Sequence, residues 1–211
     1  MSGKFALMTQ QVVLQGGGPF TANDEFDAQI LSAHAGYVAI LPTAEAFENP
    51  DDLVQLSVAW AKRLGITTKL CAVYSRADAR EESFATIIAQ AAVVYVVGDS
   101  PIHLRSTLKD TVVFDAVAAH SCVVATAGSA AAMCDPMVDP RGGAFALGLG
   151  LVRGVAAITE SEKWPDERLQ RTLSLANTSV AQIPTGAALI YDNGTWSTHG
   201  AVVLHGPLPT D

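Results

Sequence analysis

Residues 93–97 read Val-Val-Tyr-Val-Val, five consecutive β-branched or aromatic residues with no polar break. A strand with one face in water alternates apolar and polar side chains. An unbroken run therefore belongs to a strand covered on both faces, as in a parallel sheet flanked by helices. Apolar strand-like runs recur at residues 12–14, 37–41 and 67–74 and around Cys122-Val123-Val124, and amphipathic or capped segments separate them. Strand and helix in strict alternation imply a doubly wound α/β domain with right-handed crossovers.

The helix boundaries are written in the sequence. Residues 23–34 carry Phe26, Ile30, Leu31 and Ala33 and stop at Gly36, as a helix closed by glycine would. Asn49-Pro50-Asp51-Asp52 offers a cap, a first-turn proline and two carboxylates for the helix dipole, and the helix should run to Leu64 and stop at Gly65. Further helices are expected over residues 81–91, from the Ser100 cap with Pro101 in the first turn, and over residues 165–176, and residues 111–120 lead to the stretch that follows. Residues 155–159 read as a strand. Towards the C-terminus, residues 187–191 and the residues from Thr195 onward flank Asn193-Gly194, so a hairpin should lie at one edge of the sheet, with residues 201–205 adding a last strand.

The chain has 211 residues, 49% hydrophobic and 16% charged, which is enough to bury a core in a single domain spanning residues 1–211. Its 13 Lys+Arg against 21 Asp+Glu give a formal charge of −8 with no basic run, which argues against nucleic acid and anionic membranes as partners. No apolar run approaches the roughly 18 residues that span a bilayer, and a cytoplasmic protein is expected. Three cysteines without metal-like spacing suit a reducing compartment. They suggest no disulfide framework, no metal and no cofactor.

The stretch Val123-Val124-Ala125-Thr126-Ala127-Gly128-Ser129-Ala130-Ala131-Ala132-Met133 is a strand, a tight small-residue turn and a helix start, the layout of a nucleophile elbow. Ala127, Gly128 or Ser129 occupies its tip, and only Ser129 could attack a carbonyl. The neighbouring pocket should be formed by Gly98, Asp99, Ser100, Thr126, Gly128 and Ser129, because open α/β sheets bind ligands at the carboxyl ends of their strands. Cys71 and Cys122 lie in apolar runs and read as buried. Cys134 lies about two helical turns below the elbow, too far to serve as its nucleophile.

Gly16-Gly17-Gly18, Ile40-Leu41-Pro42-Thr43-Ala44, Val97-Gly98-Asp99, the elbow, Gly148-Leu149-Gly150-Leu151, Arg168-Leu169-Gln170-Arg171 and the final hairpin occur in an order that resembles the serine peptidases of the dipeptidase E and cyanophycinase family. The resemblance implies a three-layer α/β fold like that of class I glutamine amidotransferases, a serine at the elbow, a histidine on a later segment, and cleavage of peptide bonds near acidic residues. The departures fall on the chemistry. The family elbow reads Gly-Thr-Ser-Ala-Gly-Ala; ungapped, Ala127 falls on the nucleophile, whereas a shifted alignment puts Ser129 there. Counting back from Arg168 and Arg171, Glu162 stands where the family has its histidine, and Asp99 replaces a glycine of the oxyanion site. A carboxylate with an ordinary pKa near ~4.3 is a weak base for a serine, and a negative side chain opposes a developing oxyanion.

The reading that follows is a peptidase-like protein with a degenerate site that acts as a binding or partner protein, with a small peptide or other ligand bearing acidic residues as partner. The resemblance and the apolar fraction also suggest a homodimer. The alternative is an active serine hydrolase with Ser129 as nucleophile and a relocated base. His34 and His120 read as solvated or capping residues, His199 and His205 as part of the terminal hairpin, and His103 as the histidine nearest the pocket.

Overall fold

The computed structural model describes residues 10–210. The first half alternates as the sequence implies: β1 (Gln11–Gln15), α1 (Asp24–Ser32), β2 (Val38–Leu41), α2 (Pro50–Leu64), β3 (Thr68–Leu70), α3 (Glu82–Ala89), β4 (Val93–Val96), α4 (Pro101–Leu108), α5 (Val112–Ala118), β5 (Cys122–Thr126) and α6 (Gly128–Met133). The short pieces β6 (Cys134–Asp135), β7 (Met137–Val138), β8 (Phe145–Ala146) and β9 (Val152–Arg153) follow. Then come β10 (Val155–Thr159), α7 (Asp166–Leu175), β11 (Ser179–Ile183), β12 (Ala188–Asp192), β13 (Thr195–His199) and β14 (Val203–His205).

The central sheet runs β13-β12-β1-β5-β4-β2-β3. Its five strands from β1 to β3 are parallel, while β12 is antiparallel to β1 and carries β13 as an antiparallel edge hairpin. Asn193 and Gly194 turn that hairpin with positive φ, 49° and 84°. β4 lies inside the sheet, as its uninterrupted apolar run requires.

Successive residues of each inner strand feed opposite layers. Val94 and Val96 join Val12, Leu14, Leu104, Leu108, Val113 and Val117 in one core, whereas Val93, Tyr95 and Val97 join Phe20, Phe26, Leu53 and Trp60 in the other. Helices α1 and α2 thus cover one face of the sheet and α4 to α6 the other. α2 ends where expected, because Gly65 adopts φ 67°, a left-handed turn open to glycine.

Several elements differ from the sequence reading. β10 and β14 are not in the central sheet: β10 pairs in parallel with β11, and β14 runs antiparallel to β11, in a separate three-stranded sheet. Residues 67–74 form a strand only over β3; beyond it Cys71 still donates to the Ile40 carbonyl at 2.8 Å, but the ladder ends there. α1 stops at Ser32, short of Gly36. Asn49 does not cap α2 with its side chain, because its amide is turned to the Asp52 carboxylate at 2.5 Å. Ser100 does cap α4, accepting from the His103 N–H at 3.4 Å.

Candidate functional site

Because β5 lies between β1 and β4, the turn after it opens between the glycine loop following β1 and the Gly98–Pro101 loop following β4. Ala127 sits at the tip, with φ 56° and ψ −130°, a region that residues with a Cβ rarely occupy. Its N–H donates to the Gln15 carbonyl at 3.2 Å, and its own carbonyl already accepts from Ala130 and Ala131, so the strained residue is held from both sides. Gly128 is needed next to it: a Cβ there would stand 2.3 Å from the Asp99 carbonyl oxygen.

Ser129 lies one step further into α6 and is fully buried. Its N–H donates to the Gly98 carbonyl at 2.9 Å and its hydroxyl donates to the same oxygen at 3.2 Å. These bonds clamp the elbow to the β4 loop. Thr126 is also fully buried and donates to Gln15 Oε1 at 2.7 Å. Of the six residues expected around the pocket, Asp99, Ser100 and Gly128 line open cavities, whereas Gly98, Thr126 and Ser129 are buried.

Two adjoining cavities form the cleft. One of about 270 Å³ lies over the elbow between Asp99, Gly128, Glu160, Lys163 and Trp164. The other, about 380 Å³, shares Asp99 and Pro140 with it and reaches Glu48, Ser100 and His103. Arg168 fixes the cleft's outer wall: its guanidinium stacks 4.2 Å over the Trp164 ring and donates to the Pro140 carbonyl at 2.8 Å. Sequence reasoning marked Arg168 as part of a motif and missed this anchoring.

Charges of both signs line the cleft, with carboxylates in slight excess. Desolvation, then the charge of Glu160, pushes the Asp99 carboxyl above its usual value, while Lys163 pulls the other way. Burial and Asp99 likewise raise Glu45, whose carboxylate accepts the Asp99 N–H at 3.3 Å. Lys163 is taken by Glu160 at 2.5 Å. Glu162 is exposed and points to Thr185, accepting its N–H at 3.1 Å and its hydroxyl at 2.5 Å. Partial desolvation pushes the Glu162 carboxyl up, but the Thr185 bonds and Lys163 together outweigh it and hold the group below its ordinary value. It is therefore a carboxylate with its lone pairs engaged.

The histidines do not make a catalytic pair with an elbow residue. The His103 ring shares Nε2 between the Tyr74 carbonyl at 3.1 Å and Thr107 Oγ1 at 3.3 Å, and Phe47 packs on its edge. Thr107 is buried on the same helix. His120, read as solvated or capping, is buried and bridges the Ala91 carbonyl and the backbone of Cys122. His199 stacks on Phe26 and His205 meets the Gln182 amide. All three cysteines are buried, and burial pushes each thiol up to about 12, which removes Cys134 as a thiolate. Among the described residues no three His, Cys, Asp or Glu side chains gather to hold a metal.

Solved structures share this fold. A peptidase from an acI-B1 Actinobacterium matches 98% of this chain and 95% of its own length with a TM-score of 0.83 at 24% sequence identity. The fold is one that peptidases use. A candidate peptidase E from Listeria monocytogenes EGD-e matches 93% of this chain and 98% of its own at a TM-score of 0.63 and 16% identity. No protein-family model and no curated protein matches the sequence.

Beneath the elbow lies a buried polar network that the sequence did not disclose. Gln15 Oε1 accepts from the Tyr95 hydroxyl at 2.6 Å, Thr126 at 2.7 Å and Asn23 at 3.2 Å, while its amide donates to Asp27 at 2.7 Å. Trp60 donates to the other Asp27 oxygen at 3.1 Å. The network joins β1, α1, α2, β4 and β5 at the base of the turn that holds Ala127.

Proposed function

We propose that this chain is a peptidase-like protein of the dipeptidase E and cyanophycinase type that has lost its catalytic groups and acts as a binding or partner protein. The observation that carries this reading is the elbow: a methyl group stands at the tip, and the flanking hydroxyls of Thr126 and Ser129 are buried and spent on Gln15 and Gly98. Glu162 at the base position is engaged with Thr185, and Asp99 brings a carboxylate where an oxyanion would form. The cleft remains roomy, so binding outlives catalysis. Its carboxylates Glu48, Asp99 and Glu160 repel a purely acidic ligand. A small peptide would place a cationic group against them and leave its acidic group to Arg168 and Lys163.

The test is exposure to a fluorophosphonate followed by intact mass, together with hydrolysis assays on Asp-X dipeptides and β-aspartyl-arginine polymer. No adduct and no turnover above background are expected. Loss of a nucleophile or base alone costs on the order of 10⁴ to 10⁶ in rate, and members of a triad act as a unit, so single restorations should recover little. Ala127→Ser, Glu162→His and Asp99→Gly combined is the informative variant. Turnover by the unmodified protein that Ser129→Ala abolishes would overturn the proposal.

A further inference from the structure

A cavity of about 520 Å³ among the described residues is not at the elbow. It lies at the opposite end of the sheet. Gln10 on its rim precedes β1, Ala118 ends α5, and Tyr191 pairs with Val12 near the amino end of β1. With a rise of about 3.3 Å per residue, the length of β1 separates it from the elbow by roughly 16 Å. Ligands of open α/β sheets bind at the carboxyl end, so this cavity is no extension of the cleft.

Its walls are pinned. The Trp196 indole donates to the Pro209 carbonyl at 2.9 Å and its ring lies 5.0 Å from that of Tyr191. Gln10 ties the rim to α5 by donating to the Ala118 and His120 carbonyls, both at 3.0 Å. On the far wall Leu149 donates to the Ala132 carbonyl at 2.8 Å, and Leu149 and Val152 are almost wholly buried. A preformed cavity of this size, lined by polar and apolar groups in near-equal measure, has room for a small molecule.

Its charge is the unusual feature. The protein carries a formal charge of −8, yet among the described residues no carboxylate lines this cavity, and two cations from separate elements do. Arg153 donates only to the Gly150 carbonyl, at 3.4 Å, and takes part in no ion pair among the described residues. Lys109 has one long, exposed contact, 4.0 Å to Asp110, and its ammonium lies 5.9 Å from the Phe114 ring centre. Arg76 holds the backbone under it by donating to the Lys109 carbonyl at 2.7 Å.

We propose that this cavity is a second binding site, for a small organic anion with a flat or aliphatic apolar body whose acidic group sits between Lys109 and Arg153. Phe114, Tyr191 and Trp196 supply ring contacts for the body, and the two cations supply charge-assisted hydrogen bonds to a carboxylate, sulfonate or phosphate.

The full chain is titrated with 8-anilino-1-naphthalenesulfonate, with the Trp196 indole N–H signal followed by NMR. Saturable one-to-one binding that shifts Trp196 and spares Trp60 is expected. Lys109→Ala and Arg153→Ala should each weaken it about tenfold, the loss expected for a charged hydrogen-bond partner. Arg153→Lys should recover part of the loss, and Ala118→Trp, at an exposed position facing the cavity, should abolish binding. Lys62→Ala, at an exposed cation of α2, should change nothing. Competition by indole-3-acetate and by phenyl phosphate separates carboxylate from phosphate ligands, and either supports the site. Non-saturating binding, indifference to the Lys109 and Arg153 substitutions in variants that melt like the parent, or equal competition by uncharged indole would each overturn it.

Discussion

Asp27 makes the stability of this protein depend on pH in a direction opposite to that of most native carboxylates. It is 1% exposed on α1. Gln15 and Trp60 each donate to one of its oxygens, and the Tyr95 hydroxyl stands 3.3 Å from both. Asp24 on the same helix adds a like charge, and Arg63 from α2 is taken by Asp24 and the Phe20 carbonyl. Tyr95 on β4 is itself held well above its usual range by burial and by Asp27. No cation pairs with Asp27 among the described residues, so desolvation outweighs the hydrogen bonds and pushes its carboxyl from 3.8 to about 6.

Between those two values the folded protein holds a proton that the unfolded chain has released. Stability therefore falls as pH rises through that window: the contribution is complete below 3.8 and gone above about 6. A shift of about two units at 1.36 kcal/mol each amounts to about 3 kcal/mol. The assay is urea unfolding of the parent and of Asp27→Asn from pH 4 to 8. Asparagine does not titrate, and its amide faces a donor from Gln15 or Trp60, a cost of about 1–3 kcal/mol that stays constant with pH. The stability of the parent minus that of the variant should drop by about 3 kcal/mol across the range, centred between pH 4 and 6. A flat difference, or one that grows with pH, would show that the three donors favour the anion over the acid and would refute the argument.

Ala127→Gly should raise the melting temperature, since relief of about 1–3 kcal/mol of backbone strain exceeds the roughly 0.5–1 kcal/mol entropic cost of glycine; Ala127→Val should lower it in the same calorimetric scan. Gly128→Ala should destabilise by several kcal/mol or prevent folding, because the new methyl meets the Asp99 backbone at 2.3–2.8 Å; urea midpoints within error of the parent would contradict the close approach of loop and elbow. Self-association is proposed as a homodimer, so sedimentation at micromolar concentration should give twice the 22.0 kDa chain mass, and a single 22.0 kDa species would remove the idea.

The central sheet was legible because burial on both faces leaves a mark that needs no partner to read. Residues 93–97 are apolar in succession because Val94 and Val96 enter one core and Val93, Tyr95 and Val97 the other. The placement of β10 was not legible. Its five buried residues suit any sheet, and its pairing with β11, some 24 residues on in sequence from Val155 to Ser179, leaves no mark in the strand itself. Glu162 and Asp99 could be assigned by position, but not the bonds that occupy them, since Thr185 and Glu45 lie 23 and 54 residues away. The polar network was hidden for the same reason. Gln15, Asp27, Trp60, Tyr95 and Thr126 are far apart in sequence, and each looks like an ordinary member of an apolar strand or an amphipathic helix.

The network and the elbow explain one another. A residue with a Cβ at φ 56° and ψ −130° stays there only where its surroundings over-determine it. Here the Ala127 N–H is fixed on the Gln15 carbonyl, while the Gln15 side chain is fixed by four partners from α1, β4, β5 and the turn before α1. On the other side, Ser129 binds the Gly98 carbonyl twice and Gly128 admits the Asp99 backbone. None of these interactions involves the Ala127 side chain. The shape of the turn is therefore a property of the scaffold, which the chain keeps whether or not the residue at the tip can react, and the cleft keeps its form with it.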